Sequence, residues 1–199
     1  VALMLAIVIV TTFGKPATAW SGCSVGAAIG HGSGKVDLGS SGLNIGSEGQ
    51  KAVGEVACDA KIKDWVVGVF VDYGKAMGDW EKIGLDTDLS AGARVGYLVA
   101  PNWLAYGGAA WSRLDTDFGH TDGYKLLGGL EAKLPNSPMY FDVRVSRGLY
   151  KDFLGSSLDV DVTEVWGIFK YKFEPKQTPL IQPLMENDPE RIKLMNSLL

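Results

Sequence analysis

The sequence is poor in proline, cysteine and histidine, and no apolar run is long enough to cross a bilayer as a helix. Such a span takes about 20 consecutive apolar residues, and the longest run here is VALMLAIVIV at residues 1–10. The mean hydropathy of +0.07 likewise gives no sign of a helical membrane protein. Positive charge is not in excess: 19 Lys+Arg stand against 23 Asp+Glu, a net charge of −4. That balance argues against a nucleic-acid binder, which carries a basic surplus. With two Cys and two His, no metal-ligating or catalytic Cys/His motif can be assembled. Glycine, by contrast, is abundant: 26 of 199 residues, about twice its usual share. It has no every-third-residue period, so collagen is excluded. An apolar share of 46% with 21% charged residues argues against disorder. Twenty aromatics and the glycine together point to many strands and turns.

Residues 1–10 are followed by Thr11-Thr12-Phe13-Gly14-Lys15-Pro16 and then Ala17-Thr18-Ala19. A short apolar core followed by A-x-A predicts a secretory signal peptide over 1–19, cut after Ala19. The basic stretch and initiator Met that normally precede such a core do not stand ahead of it, so the sequence is expected to start inside the signal. A lipoprotein anchor on Cys23 is disfavoured, because Trp20 occupies a position where that signal needs an aliphatic residue.

From Cys23 onward the chain reads as eight segments with period-2 alternation bounded by turn residues. They are Cys23–His31, Gln50–Ile62, Trp65–Tyr73, Leu85–Val99, Trp103–Leu114, Tyr124–Leu134, Met139–Arg147 and Asp161–Phe173. The fifth is so rich in Gly and Ala that its facing is ambiguous. The breaks after segments two, four and six are tight: Lys63-Asp64, Ala100-Pro101-Asn102 and Pro135-Asn136-Ser137-Pro138. The others are longer, over 32–49, 74–84, 115–123 and 148–160. Tight turns alternating with long loops predict an all-β fold, an eight-stranded antiparallel transmembrane β-barrel with short periplasmic turns and longer extracellular loops. Proline placement agrees, since Pro101 is the only proline between Ala17 and Leu134 and lies in a turn. A ladder cannot spare the N–H that proline lacks.

A soluble eight-stranded barrel would alternate in the same way, with its apolar face turned inward. Here one face carries Val, Leu, Ala, Phe, Tyr and Trp, and the other carries Gly, Ser and charges of both signs. Small residues make sense on the inside, where they leave room for long charged side chains. Glu55, Asp59, Asp72, Glu131, Asp142 and Glu164 are therefore expected in the lumen, paired with Arg94, Lys125, Arg144 and Lys170. Eight strands leave an interior that side chains just fill, so these charges are expected to plug the lumen rather than line an ion path. Trp65, Tyr97, Trp103, Tyr171 and Phe173 fall near the periplasmic turns, as an interfacial girdle requires.

Cys23 opens the first segment and Cys58 lies near the end of the second, so a hairpin brings them together. In an exported chain an even cysteine count favours a disulfide; the rival is two separate lipid-facing thiols. The last segment ends Gly167-Ile168-Phe169-Lys170-Tyr171-Lys172-Phe173. Alternating aromatics closing on Phe173 resemble the C-terminal signal read by the barrel-assembly machinery. Residues 174–199 then form a Pro-containing periplasmic tail, with a candidate short helix starting near Asp188-Pro189-Glu190.

Several stretches resemble one family of small outer-membrane proteins, the immunogenic surface antigens of Brucella and rhizobia. Trp20-Ser21-Gly22-Cys23-Ser24-Val25-Gly26 is similar to the family's mature start. Gly54-Glu55-Val56-Ala57-Cys58-Asp59 and Trp65-Val66-Val67-Gly68-Val69-Phe70-Val71-Asp72-Tyr73 resemble its second hairpin. Ala91-Gly92-Ala93-Arg94-Val95-Gly96-Tyr97-Leu98-Val99-Ala100-Pro101 resembles its most recognisable segment. Gly128-Gly129-Leu130-Glu131 and Val143-Arg144 match more loosely. The resemblance runs over 20–173 and departs at Ser24, where the family has an aromatic residue, and at the tail. It implies a porin-like surface antigen in the outer membrane of a Gram-negative bacterium, in a family some of whose members bind haemin. It carries no catalytic residues.

The leading expectation is therefore a structural, surface-exposed outer-membrane barrel. It is not an enzyme, has no cofactor, is embedded in outer-membrane lipid and does not engage nucleic acid. Host or surface ligands would meet its loops. A small solute pore, a haemin binder using His31 and His120, and a lipid hydrolase built on His31 are the alternatives.

Overall fold

The computed structural model describes residues 19–37, 44–78, 80, 85–117, 119–150 and 159–173. The expected signal peptide up to Thr18, the tail 174–199 and parts of four loops lie outside the described residues. Eight strands follow in order: β1 Gly22–Asp37, β2 Asn44–Ile62, β3 Trp65–Met77, β4 Leu85–Ala100, β5 Trp103–Thr116, β6 Gly119–Lys133, β7 Met139–Tyr150 and β8 Asp159–Phe173. Each pairs antiparallel with the next. β1 also pairs with β8, from Cys23 opposite Phe173 to Asp37 opposite Asp159, so the sheet closes into a barrel. Closure leaves no unpaired strand edge.

All eight segments are strands, but seven of the eight ends at the longer connections run further than their side-chain alternation indicates. β1 continues to Asp37 and β2 starts at Asn44, leaving a connection of 38–43 in place of the expected 32–49. The expected loops 74–84, 115–123 and 148–160 shrink to 78–84, 117–118 and 151–158. The cause is the change of solvent. Beyond the apolar belt the outer face of the sheet meets water, so its side chains are no longer held to be apolar, while the backbone ladder continues. The opposite turns stay tight. Lys63, at φ 58°, turns β2 into β3, and Asn136, at φ 53°, turns β6 into β7.

The facing of the strands settles the solvent. In β7, Tyr140, Asp142, Arg144, Ser146 and Tyr150 are buried, while Val143, Val145 and Leu149 are exposed. Across the barrel the inversion is general: Leu126 and Phe169 are 59% and 57% exposed, and Glu131, Asp142 and Lys170 are 0% exposed. In water this would waste the whole apolar wall and desolvate a set of charges. Against lipid tails it is the stable arrangement, and the chain is an outer-membrane-type barrel. β5 resolves the same way, with Leu104, Tyr106, Ala110, Ser112 and Leu114 inward and Trp103 outward.

The lipid belt is bounded by aromatics. Near the tight turns Trp65 packs edge-on to Tyr97 with ring centroids 5.2 Å apart, and Tyr171 packs on Phe173 at 5.1 Å. Tyr73 and Tyr124, both exposed, mark the other edge. The rise from Trp65 to Tyr73 along a tilted strand is about 20 Å, close to the apolar band such barrels carry.

Candidate functional site in the barrel lumen

Inward parity places every expected lumen residue inside, and the side chains meet in three tiers. In the tier nearest the tight turns, Arg94 on β4 donates Nε to Asp59 Oδ1 at 3.0 Å and Nη2 to Asp59 Oδ2 at 2.7 Å. Its Nη1 donates to Glu131 Oε2 at 2.8 Å. Lys172 on β8 closes the tier with Nζ 2.8 Å from Asp59 Oδ2. Gly68, opposite Asp59 in the register, leaves the space that the carboxylate fills.

In the middle tier Arg144 on β7 donates to Glu55 and, at 3.2 Å, to Asp72 Oδ2. Its Nε donates to Tyr106 Oη at 3.0 Å, and that hydroxyl donates to Asp142 at 2.8 Å. Lys170 on β8 lies 2.8 Å from Glu55, 2.7 Å from Asp142 and 3.0 Å from Glu131, so it ties this tier to the one below. In the third tier Lys51 on β2 reaches Glu164 at 2.7 Å and Asp88 at 3.0 Å. Lys125 on β6 pairs with Asp88, and lies 3.6 Å from Glu164. Ser112 donates to Asp88 at 2.9 Å, and Ser146 donates to Glu164 at 3.1 Å.

Isolated charges cannot be held in a medium of low dielectric, where each loses its hydration. Here each cation faces at least one carboxylate, and hydroxyls occupy several of the remaining lone pairs. Glu55, Asp59, Asp72, Arg94, Glu131, Asp142, Arg144, Glu164 and Lys170 all lie in these tiers. Asp88, Tyr106 and the serines were not singled out. Asp88 shares the parity of Ser90 and Arg94, which is the signal that finds it.

Apolar side chains close both ends. Trp20, in the segment entering β1, is buried; its Nε1 donates to the Pro101 carbonyl at 3.2 Å, and its ring packs edge-on to Tyr140 at 5.2 Å. Tyr140 in turn donates to the Ala19 carbonyl. Lys172 Nζ lies 4.7 Å above the Tyr140 ring, joining the stopper to the charged tier. At the other end Trp80, in the β3–β4 connection, is buried with Ala76, Leu114, Tyr150, Val160 and Val162. Lys51 Nζ lies 5.0 Å from the Trp80 ring. A Cβ at Gly32 would fall 2.6 Å from Trp80, so glycine there is what admits the indole.

Cys23 and Cys58 are register partners on β1 and β2 and are joined as a disulfide. Among the described residues no cysteine is free, so the reading as two separate thiols is set aside. The bridge lies on the outer parity, near the tight turns. Closing a chain segment of 35 residues stabilises by about 3–4 kcal/mol in the chain-entropy account. His31 and His120 both lie exposed on the outer parity of β1 and β6. Those strands share no ladder, so the two imidazoles do not form one site.

Neither a protein-family model nor a curated protein matches the sequence; the resemblance to the Brucella and rhizobial antigens rests on the quoted motifs. Solved structures with a similar chain path include Neisserial surface protein A, at 15% identity and TM-score 0.49, with 80% of this chain and 100% of that chain covered. A de novo designed transmembrane β-barrel is 14% identical with TM-score 0.47, over 80% and 98% of the two chains. The attachment invasion locus protein of Yersinia pestis is 14% identical with TM-score 0.43, over 76% and 99%.

Proposed function

We propose that this chain is a non-conducting structural barrel of the outer membrane, whose interior is a charged core and not a passage. The observation that carries the reading is the three-tier ion-pair network held between Trp20 and Trp80. A conducting pore needs a continuous wet path, whereas each tier here spans the lumen by direct contacts below 3.3 Å. The family resemblance supports the same reading at a finer level, a surface antigen whose contacts with host or surface ligands are made by the connections 38–43, 78–84 and 151–158. The aromatic alternation ending at Phe173 supports recognition by the barrel-assembly machinery.

Purified protein inserted into a planar lipid bilayer tests the central claim. No single-channel steps are expected under applied voltage. Reproducible steps that change in size on substituting Arg94 or Glu131 would overturn it and establish the small solute pore.

A further inference from the structure

The tiers are not equally balanced. The tier at the tight turns sets Arg94 and Lys172 against Asp59 and Glu131, and the third tier sets Lys51 and Lys125 against Asp88 and Glu164. The middle tier sets Arg144 and Lys170 against three carboxylates, Glu55, Asp72 and Asp142. One negative charge is in excess, and its place can be identified. Asp142 receives the Tyr106 hydroxyl, Arg144 and Lys170. Glu55 and Asp72 stand directly opposite one another in the β2–β3 register, on the same inward face. Side chains directly opposite on one face have Cβ atoms about 4.5–5.5 Å apart, and like charges so placed repel. Asp72 also has one buried oxygen, Oδ1, that accepts no hydrogen bond, whereas Oε1 of Glu55 is met by Lys170 at 2.8 Å.

We propose that the Glu55–Asp72 pair is a proton-binding site: the folded barrel holds one proton between these carboxyls, with Asp72 as the carrier. The proton removes the excess charge and makes one carboxyl a donor to its neighbour, the logic by which adjacent carboxylates share a proton elsewhere. Asp72 is the lumen carboxylate best placed to exchange it, since its side chain is 17% exposed while those of Glu55 and Asp142 are 2% and 0% exposed. The groups that face the pair are Arg144 and Asp142 on β7, Lys170 on β8, Tyr106 on β5, Ser90 and Arg94 on β4 and Lys125 on β6. β1 brings only Gly26 and Ala28 to that level. The inference stands on the lumen geometry alone and holds whether or not the barrel conducts.

The sign follows from linkage. The folded state binds a proton that the unfolded chain has already released above the ordinary carboxylate range, so stability falls as pH rises. A single linked proton changes the unfolding constant by up to tenfold per pH unit. The test is urea unfolding of the full chain in detergent micelles from neutral to mildly alkaline pH, for the wild type, Asp72→Asn and Asp142→Asn. The wild type is expected to weaken with that slope. Asp72→Asn is expected to lose the slope and to equal or exceed the wild type at the alkaline end. Asp142→Asn, which also removes one negative charge from the tier, is expected to be weaker throughout and to show a reduced slope. An infrared band of a protonated carboxylic acid in the native wild type at neutral pH, lost in Asp72→Asn, reads the proton directly. A wild type with neither slope nor band, or a slope kept by Asp72→Asn, overturns the proposal.

Discussion

Arg94 grips Asp59 with two parallel hydrogen bonds, at 3.0 and 2.7 Å, and uses its remaining terminal nitrogen on Glu131. This two-pronged geometry is specific to a planar guanidinium. Arg94→Ala leaves two carboxylates buried with only Lys172 and Lys170 near them. The expected cost is about 3–5 kcal/mol, the range for breaking a buried pair from one side. Arg94→Lys retains the charge but loses the fork, and is expected to fall between. Urea unfolding monitored by near-ultraviolet dichroism measures both, and an Arg94→Ala barrel as stable as the wild type would show the tier to be energetically idle.

Two glycines on the first two strands give opposite expectations. A methyl group on Gly30 would overlap the Trp166 ring, whereas a Cβ on Gly54 meets nothing within 4 Å. Gly30 faces inward and Gly54 faces lipid. Gly30→Ala must displace the indole and its hydrogen bond to Ser146, at an expected cost of about 1–3 kcal/mol for overpacking. Gly54→Ala is expected to be neutral or slightly stabilising. Folded and unfolded forms of the two variants are separable by the mobility of unboiled and boiled samples on SDS gels; equal loss of the folded band in both would contradict the assignment of faces.

Leu130, on the lipid face of β6, is 48% exposed beside the fully buried Glu131. An arginine there would sit inside the apolar belt, between Tyr124 at one edge and Ala132, which faces Trp103, at the other. Leu130→Arg is expected to cost about 2–4 kcal/mol in a lipid bilayer. The same change at the exposed Gln50, above the belt, is expected to cost little. Refolding yields into vesicles, compared by gel mobility, check the pair. If both behave alike, the belt does not reach Leu130.

Much of this was legible because lipid and lumen impose opposite demands on alternate residues. In β7 Met139, Phe141, Val143 and Val145 fall on one face and Tyr140, Asp142, Arg144 and Ser146 on the other, so strand, face and ion-pair membership followed together. The same logic located the Cys23–Cys58 bridge from shared parity and hairpin geometry. Legibility stopped where the demand stopped. Above the belt Gly32-Ser33-Gly34 and Glu48-Gly49-Gln50 carry no apolar face, so ladder continuing to Asp37 and Asn44 left no trace in the side chains. Trp103–Leu114 resisted for the opposite reason: Gly and Ala fit either face, and only packing around Tyr106 decides. Trp80 lies in a connection without periodicity, where nothing distinguishes a stopper from a surface aromatic. The partners within the lumen were open as well, since parity puts a charge inside without choosing which opposite charge it meets across the barrel.

The alternation that builds the wall also bears on the journey that precedes folding. A chain bound for an outer membrane must first pass through an inner one, where a sufficiently long apolar stretch would be retained as a helix. In β7 the lipid-facing residues are separated by Asp142, Arg144 and Ser146, and in β8 by Glu164, Lys170 and Lys172. The wall becomes continuous only when neighbouring strands lie side by side. Before that moment lumen charges interrupt six of the eight strands, so the residues that fill the finished barrel also keep the travelling chain from stopping at the wrong bilayer.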